Sequence, residues 1–183
     1  DMYGTFLAKN RGAVTMAFGT HVTPIPVETL RNASTLDYVL YGEPDLTIRD
    51  LVDHLEGNTD NRPPEIQVMF DKEMAYKPSI VDGKVDMHGV RGIAWRDGNE
   101  IVKNIARPFI GDLDDLPMPA HELLPLTSYK MPLMKGPFTF IVTGRGCTAG
   151  CTFCIKHVSY QFSVRLRSPE KILEELWLLK ELG

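Results

Sequence analysis

Every cysteine of the chain lies in one loop, Cys147-Thr-Ala-Gly-Cys151-Thr-Phe-Cys154. A disulfide would use two of these thiols and strand the third. No secretory signal is visible, so a reducing, cytoplasmic setting is expected, where disulfides are rare. Clustered thiols in such a setting read as metal ligands or as a redox site. An iron–sulfur cube normally takes four cysteines, one for each iron. Three would leave one iron open to a substrate or cofactor. Zinc is the alternative: His157 follows Cys154 and would complete a Cys3His set. That set packs its ligands into one eleven-residue loop, whereas structural zinc sites more often join two ligand pairs across a longer insert. Three inert buried thiols are the remaining alternative, behind zinc.

The elements beside this loop must hold it in place. Upstream, the apolar run Phe138–Thr143 has the β-branched and aromatic content of a buried strand. Gly144, Gly146 and Gly150 allow tight turns and close approach to a bound group. Downstream, Ser168 suits an N-cap, Pro169 the first helical position and Glu170 the first turn. Ile172, Leu173, Leu176, Leu179 and Leu182 then recur at helical spacing. Arg165 and Arg167 suit either a carboxylate or phosphate ligand or surface ion pairs.

The N-terminal half alternates strand and helix, which predicts a parallel sheet with helices on its faces. A helix over 2–10 with Gly12 at its end leads to a strand at Ala13–Phe18, stopped by Gly19-Thr20-His21. A helix around Val27–Ala33, with Pro26 in its first turn, leads to a strand at Tyr38–Tyr41, stopped by Gly42-Glu43-Pro44. Thr47–Leu55 is an amphipathic helix, with Asp53 and His54 expected on its polar side and His54 at the surface. Glu65–Phe70 reads as a short strand and Asp82-Gly83 as a turn. Asp97-Gly98 between two strand-like runs predicts a hairpin, with Trp95 over the sheet edge. Prolines and the acids Asp112, Asp114 and Asp115 mark residues 106–136 as a linker whose carboxylates are solvated. Tyr129 and Met134 are candidates for a domain interface. Ligands in such sheets bind beyond the C-terminal strand ends, where both glycine turns fall.

The totals exclude several classes. The chain has 183 residues, 43% of them hydrophobic and 24% charged, with net charge −4. No apolar run approaches the roughly 20 residues of a membrane span. No basic stripe marks a nucleic-acid partner.

The C-x3-C-x2-C spacing with Phe153 before the last cysteine resembles the radical SAM enzymes. The resemblance implies that Cys147, Cys151 and Cys154 hold a [4Fe–4S] cluster. It implies that S-adenosylmethionine takes the fourth iron, with Phe153 beside its adenine, and is cleaved to a 5′-deoxyadenosyl radical. Gly19-Thr20-His21 and Tyr41-Gly42-Glu43 resemble the Gly-Gly/Pro-His and Arg-Gly-Glu turns of cobalamin-binding domains attached to such enzymes. Thr20 stands for the usual glycine or proline, and Tyr41 for the usual basic residue. The Asp-x-His-x-x-Gly element of some cobalamin proteins is absent. Asp112-Leu-Asp-Asp-Leu-Pro117, with Pro119 and Leu124-Pro125, is similar to the connector between the two domains of that family. Arg165-Leu-Arg167-Ser168-Pro169-Glu170 is similar to the segment leading into its first barrel helix.

The implied fold is α/β: the C-terminal part of a Rossmann-like, flavodoxin-like cobalamin domain over 1–105, the linker 106–136, and the first β/α unit of a partial TIM barrel from 137 to 183. A full eight-unit barrel takes about 250 residues, so the chain is expected to be part of a longer enzyme. The implied cofactors are the cluster, S-adenosylmethionine and cobalamin, with Gly19, Thr20, His21, Gly42 and Glu43 toward the corrin. The implied partners are a flavodoxin- or ferredoxin-type electron donor and a small-molecule or tetrapyrrole-like substrate. Methyl transfer and anaerobic ring closure are both implied outcomes. A radical SAM enzyme without cobalamin would look the same over these residues.

Overall fold

The structure is a computed structural model that describes residues 2–57, 62–72, 80–81, 84–85, 87–133, 136–155 and 163–183. The chain divides into two compact units, Asp1–Phe109 with Gly150–Gln161, and Ile110–Ala149 with Phe162–Gly183.

The first unit is built on a four-stranded sheet. Helix α1 (Met2–Asn10) leads to β1 (Met16–Ala17), α2 (Pro26–Asn32), β2 (Tyr38–Leu40) and α3 (Asp45–Glu56). Helix α4 (Pro64–Lys72) and a small antiparallel pair, β3 (Ile80–Val81) and β4 (Lys84–Val85), come next, and then β5 (Ile93–Asp97) and β6 (Glu100–Lys103). The strand order is β1-β2-β5-β6. β1 and β2 run parallel, and the β5–β6 hairpin joins antiparallel, with Val39 opposite Ala94 and Leu40 opposite Ile93. The fold is therefore α/β with a mixed sheet.

Alternation along the strands sorts the core into two layers. Val39 and Ala94 face one side, where they pack with Val22, Leu30 of α2 and Leu36. Leu40 and Ile93 face the other, where they pack with Val90 and Leu51 of α3. Leu30, Val39, Leu51, Val90, Ile93 and Ala94 are fully buried. A buried leucine contributes roughly 1.5–3 kcal/mol relative to its exposed state, so these layers are what hold the unit together.

Several expectations are corrected. Glu65–Phe70 is helical: Pro64 and Glu65 occupy the first turn of α4, and Ile66, Met69 and Phe70 follow helical rather than alternating spacing. Asp53 and His54 are buried, not on a polar surface. The side of α3 that carries them is covered by Arg62 and Arg107, whose guanidinium groups lie 3.9 and 5.4 Å from the Phe70 ring centroid. Trp95 lies on an inner strand, packed on the second core layer and donating to Asn104 Oδ1, rather than over the sheet edge. The Asp82-Gly83 turn, Met134 and His157 lie outside the described residues.

The cover over α3 is an ionic network. Asp50 accepts from Arg62 Nη2 at 2.6 Å and from Arg107, which also donates to Thr47 Oγ1 at 3.0 Å. Asp53 accepts from Arg62 Nε at 2.5 Å and from Arg49. Burial raises the Asp50 pKa, but the His54 hydrogen bond and the charges of Arg107, His54 and Arg62 outweigh it and hold the carboxyl below its usual range. Gly92 adds a backbone constraint at the same place. Its φ is +77°, and a Cβ there would stand 3.0 Å from Thr47 Oγ1 and 3.3 Å from Tyr41 O.

The second unit contains β7 (Gly144–Gly146), antiparallel to β8 (Val164–Leu166), and the helix α5 (Pro169–Leu182). The expected strand at Phe138–Thr143 does not form. Pairing begins only at Gly144, because β8 meets Gly144–Gly146 in register, and Phe140 and Val142 remain exposed.

Asp50→Asn should destabilise the intact protein by about 3 kcal/mol at neutral pH, the cost of removing the carboxylate charge that lies between two buried guanidinium groups. Because the folded pKa is lowered, the wild-type contribution is complete above the ordinary carboxylate pKa of 3.8 and is lost as pH falls through the folded value. Urea unfolding across that range should show the two proteins converging in acid.

Candidate functional site

Two sets of candidate residues were legible in the sequence, and the structure treats them differently. The first set is the pair of glycine turns. Gly19 follows β1 with φ +117°, and Gly42 follows β2 with φ +83°, both in the left-handed region that favours glycine. β1 and β2 are parallel neighbours, so the two turns emerge at the same sheet end. Thr23 ties them together: its Oγ1 donates to Gly19 O at 2.8 Å and accepts from Gly42 N at 3.3 Å. Thr20 and His21 are exposed beside the first turn, whereas Glu43 is buried at 5% exposure. Of the five expected corrin contacts, Glu43 is thus turned into the protein. Thr23 was missed. The available signal was a threonine four residues after a turn glycine, placed to bond back to its carbonyl.

The second set is the cysteine loop. Cys147 and Cys151 are exposed, Cys154 is half-buried, and none is in a disulfide. The thiols are therefore not inert core residues. Ala149 N donates to Cys147 Sγ at 3.4 Å, and Cys154 N to Cys151 O at 3.2 Å. Phe153 is 91% exposed, a free aromatic face between two thiols. The donors fit a thiolate-held cluster by number, type and accessibility.

Gly144 and Gly146 serve packing rather than a ligand. A Cβ on Gly144 would stand 2.7 Å from Leu166 Cδ2, and one on Gly146 would stand 1.8 Å from Ser163 O. Gly150 has nothing within 4 Å and is the one loop glycine of the three open to an incoming group.

The segment before the loop is bonded, not merely solvated. Asp114 accepts from Ser168 N at 3.0 and 3.1 Å, which holds its carboxyl below the usual range although it is exposed. Ser168 Oγ accepts from Lys171 N, the expected N-cap. Arg165 donates to Ile110 O at 2.7 Å. Arg167 pairs with Glu175, whose side chain is 1% exposed and also bonds to His121. Arg165 and Arg167 are thus internal contacts rather than surface ion pairs. Glu175 was missed, although it sits three residues after Ile172 and four before Leu179, on the apolar stripe itself.

No family model matches the chain. It is 28% identical over 170 residues to an uncharacterized methyltransferase of Pyrococcus horikoshii, covering 93% of this chain and 31% of that protein. It is 27% identical to the cytidylyl-2-hydroxyethylphosphonate methyltransferase of Streptomyces wedmorensis, covering 92% of this chain and 32% of that protein. The fold matches OxsB, a cobalamin-dependent S-adenosylmethionine radical enzyme solved with aqua-cobalamin and S-adenosylmethionine bound. The TM-score is 0.59 at 18% identity, over 93% of this chain and 20% of that one. The chain is thus similar in sequence to methyltransferases and in fold to a cobalamin-dependent radical enzyme. It spans about a third of the length of the methyltransferases it matches. No described helix is long and apolar enough to cross a membrane.

Gly146→Ala should abolish β7–β8 pairing, because the new Cβ has no room beside Ser163 O. Iron retained per chain after anaerobic reconstitution of the intact protein should fall to a small fraction of wild type. Gly150→Ala should retain iron at the wild-type level.

Proposed function

We propose that the intact protein is a cobalamin-dependent radical SAM methyltransferase. The observation that carries this reading is the loop of three accessible thiols in a chain that aligns with two named methyltransferases over more than nine-tenths of its length. When bound, a [4Fe–4S] cluster supplies the electron that cleaves S-adenosylmethionine, and cobalamin supplies a carrier for the methyl group.

This chain's own residues do the holding. Cys147, Cys151 and Cys154 are the protein ligands of the cluster, and their number leaves one position for the amino and carboxylate groups of S-adenosylmethionine. Phe153, whose ring is exposed, would lie beside the adenine. Gly19 and Gly42, fixed side by side through Thr23, offer backbone without side chains to the corrin edge, and Thr20 and His21 flank that surface. Glu43, buried beside the second turn, is the fifth residue of this surface. The reductant is a flavodoxin- or ferredoxin-type protein in a reducing, cytoplasmic compartment. The substrate is a small organic molecule with an unactivated carbon as methyl acceptor. The assignment of residues 1–105 to the cobalamin domain and 137–183 to the start of the barrel is part of this proposal.

The intact protein purified without oxygen should carry a corrin. Reconstituted with iron and sulfide, it should gain the visible absorption of a thiolate-held cluster and cleave S-adenosylmethionine. Cys151→Ala should lose both cluster and cleavage while keeping the corrin. Thr23→Val should keep the cluster but retain corrin several-fold less well, since it loses one net hydrogen bond of about 1 kcal/mol on each turn. Zinc without iron, or a cluster with a fourth protein ligand, would overturn the radical chemistry. A functional cluster with no corrin would overturn the cobalamin part alone.

A further inference from the structure

The second unit holds a buried charge cluster that the proposed chemistry does not use. Glu175 of α5 accepts at Oε1 from His121 Nε2 at 2.8 Å, and its Oε2 accepts from Arg167 Nη1. The His121 and Glu175 side chains are 5% and 1% exposed. Burial alone would raise the Glu175 pKa, but the hydrogen bonds from His121 and Arg167 and the charge of Arg167 hold it below the usual range, so it stays an anion. His121 Nδ1 is buried with no partner among the described residues. The imidazole is therefore committed, through Nε2, to orienting one carboxylate.

Arg167 carries that orientation outward. Its Nη1 donates to Val142 O at 3.1 Å, and its backbone N donates to Thr143 O at 3.0 Å. Its Nη2 reaches Lys171 O at 3.3 Å. Val142 and Thr143 are the last residues before β7, and β7 runs directly into Cys147. Among the described residues 138–143 pair with no strand. The last two carbonyls of this unpaired run both bond to one arginine, and that arginine is set by a buried carboxylate.

We propose that His121, Glu175 and Arg167 form a positioning relay that fixes the strand delivering Cys147 to the cluster. The proposal rests on the cluster reading given above. His121 orients Glu175, Glu175 fixes the Arg167 fork, and the fork holds the chain just ahead of the first thiol. None of the three touches the reacting atoms.

The test uses the intact protein with Glu175→Gln, which keeps an acceptor for one partner but loses the charge. Arg167→Lys serves as a second variant: it keeps the charge beside Glu175 but not the planar guanidinium, whose Nη1 serves both Glu175 and Val142 O while Nη2 reaches Lys171 O. In the metal-free proteins, amide hydrogen exchange over residues 143–147 should speed up about tenfold in either variant, the scale set by losing one charge-assisted hydrogen bond. After reconstitution, the reduced cluster of either variant should show an altered electron paramagnetic resonance spectrum and a weakened response to S-adenosylmethionine. Unchanged exchange in both variants would overturn the proposal. Faster exchange with a wild-type spectrum and response would also overturn it, by reducing the relay to a stabilising contact. Wild-type protein that takes up no cluster would instead sink the cluster reading, so the two failures are distinguishable. If Glu175→Gln does not fold, Arg167→Lys decides the matter.

Discussion

A carboxylate taken out of water has to be paired, and the two units each depend on one such pairing. In the first, Asp50 sits between Arg62 and Arg107, and the pair of guanidinium groups lies against Phe70. In the second, Glu175 sits between His121 and Arg167. Neither carboxylate is anywhere near charge-neutral by protonation, because charged and hydrogen-bonding partners outweigh the burial. The effect is to bring together residues far apart in sequence: Arg107 returns to α3, and His121 to α5. An apolar contact would tolerate sliding, whereas a carboxylate held at each oxygen by a different donor fixes the direction as well as the distance of both partners.

These pairings set the stage on which the candidate cofactor surfaces lie. The sheet of the first unit has only one parallel pair, yet that pair carries both glycine turns. Parallel strands put both turns at the same end, and Thr23 closes the gap between them with two hydrogen bonds. The antiparallel β5–β6 hairpin completes the sheet and, through Asn104, anchors Trp95 and the carbonyls of Met87 and Val90. In the second unit the short β7–β8 pair is possible only because Gly144 and Gly146 lack side chains where β8 comes close. The glycines that seemed made for a ligand are used for packing, and Gly150 remains open.

Much of this was legible along the chain. The helix at Asp45–Glu56, the hairpin about Asp97-Gly98, the N-cap at Ser168 and the left-handed turns at Gly19 and Gly42 all follow from local rules, because capping, glycine geometry and apolar spacing act within a few residues. The α/β fold class was likewise readable from the alternation of strands and helices in the first half of the chain. The strand assigned to Phe138–Thr143 failed because strand formation needs a partner in register, and composition cannot supply one. Glu65–Phe70 is helical instead, because Pro64 and Glu65 occupy a first helical turn and Ile66, Met69 and Phe70 follow at helical spacing.

By itself, then, the chain order determined the thiols, their spacing, the turn glycines and the helices that local chemistry can nucleate. Only the tertiary structure decided that His54 and Asp53 would be buried, that Glu175 would hold an arginine reaching toward the cysteine loop, and that Thr23 would bridge two turns. The physical reason is that burial and charge pairing are settled by groups distant in sequence. Desolvation makes a side chain's partner matter more than its neighbours, and no local pattern records which partner will arrive.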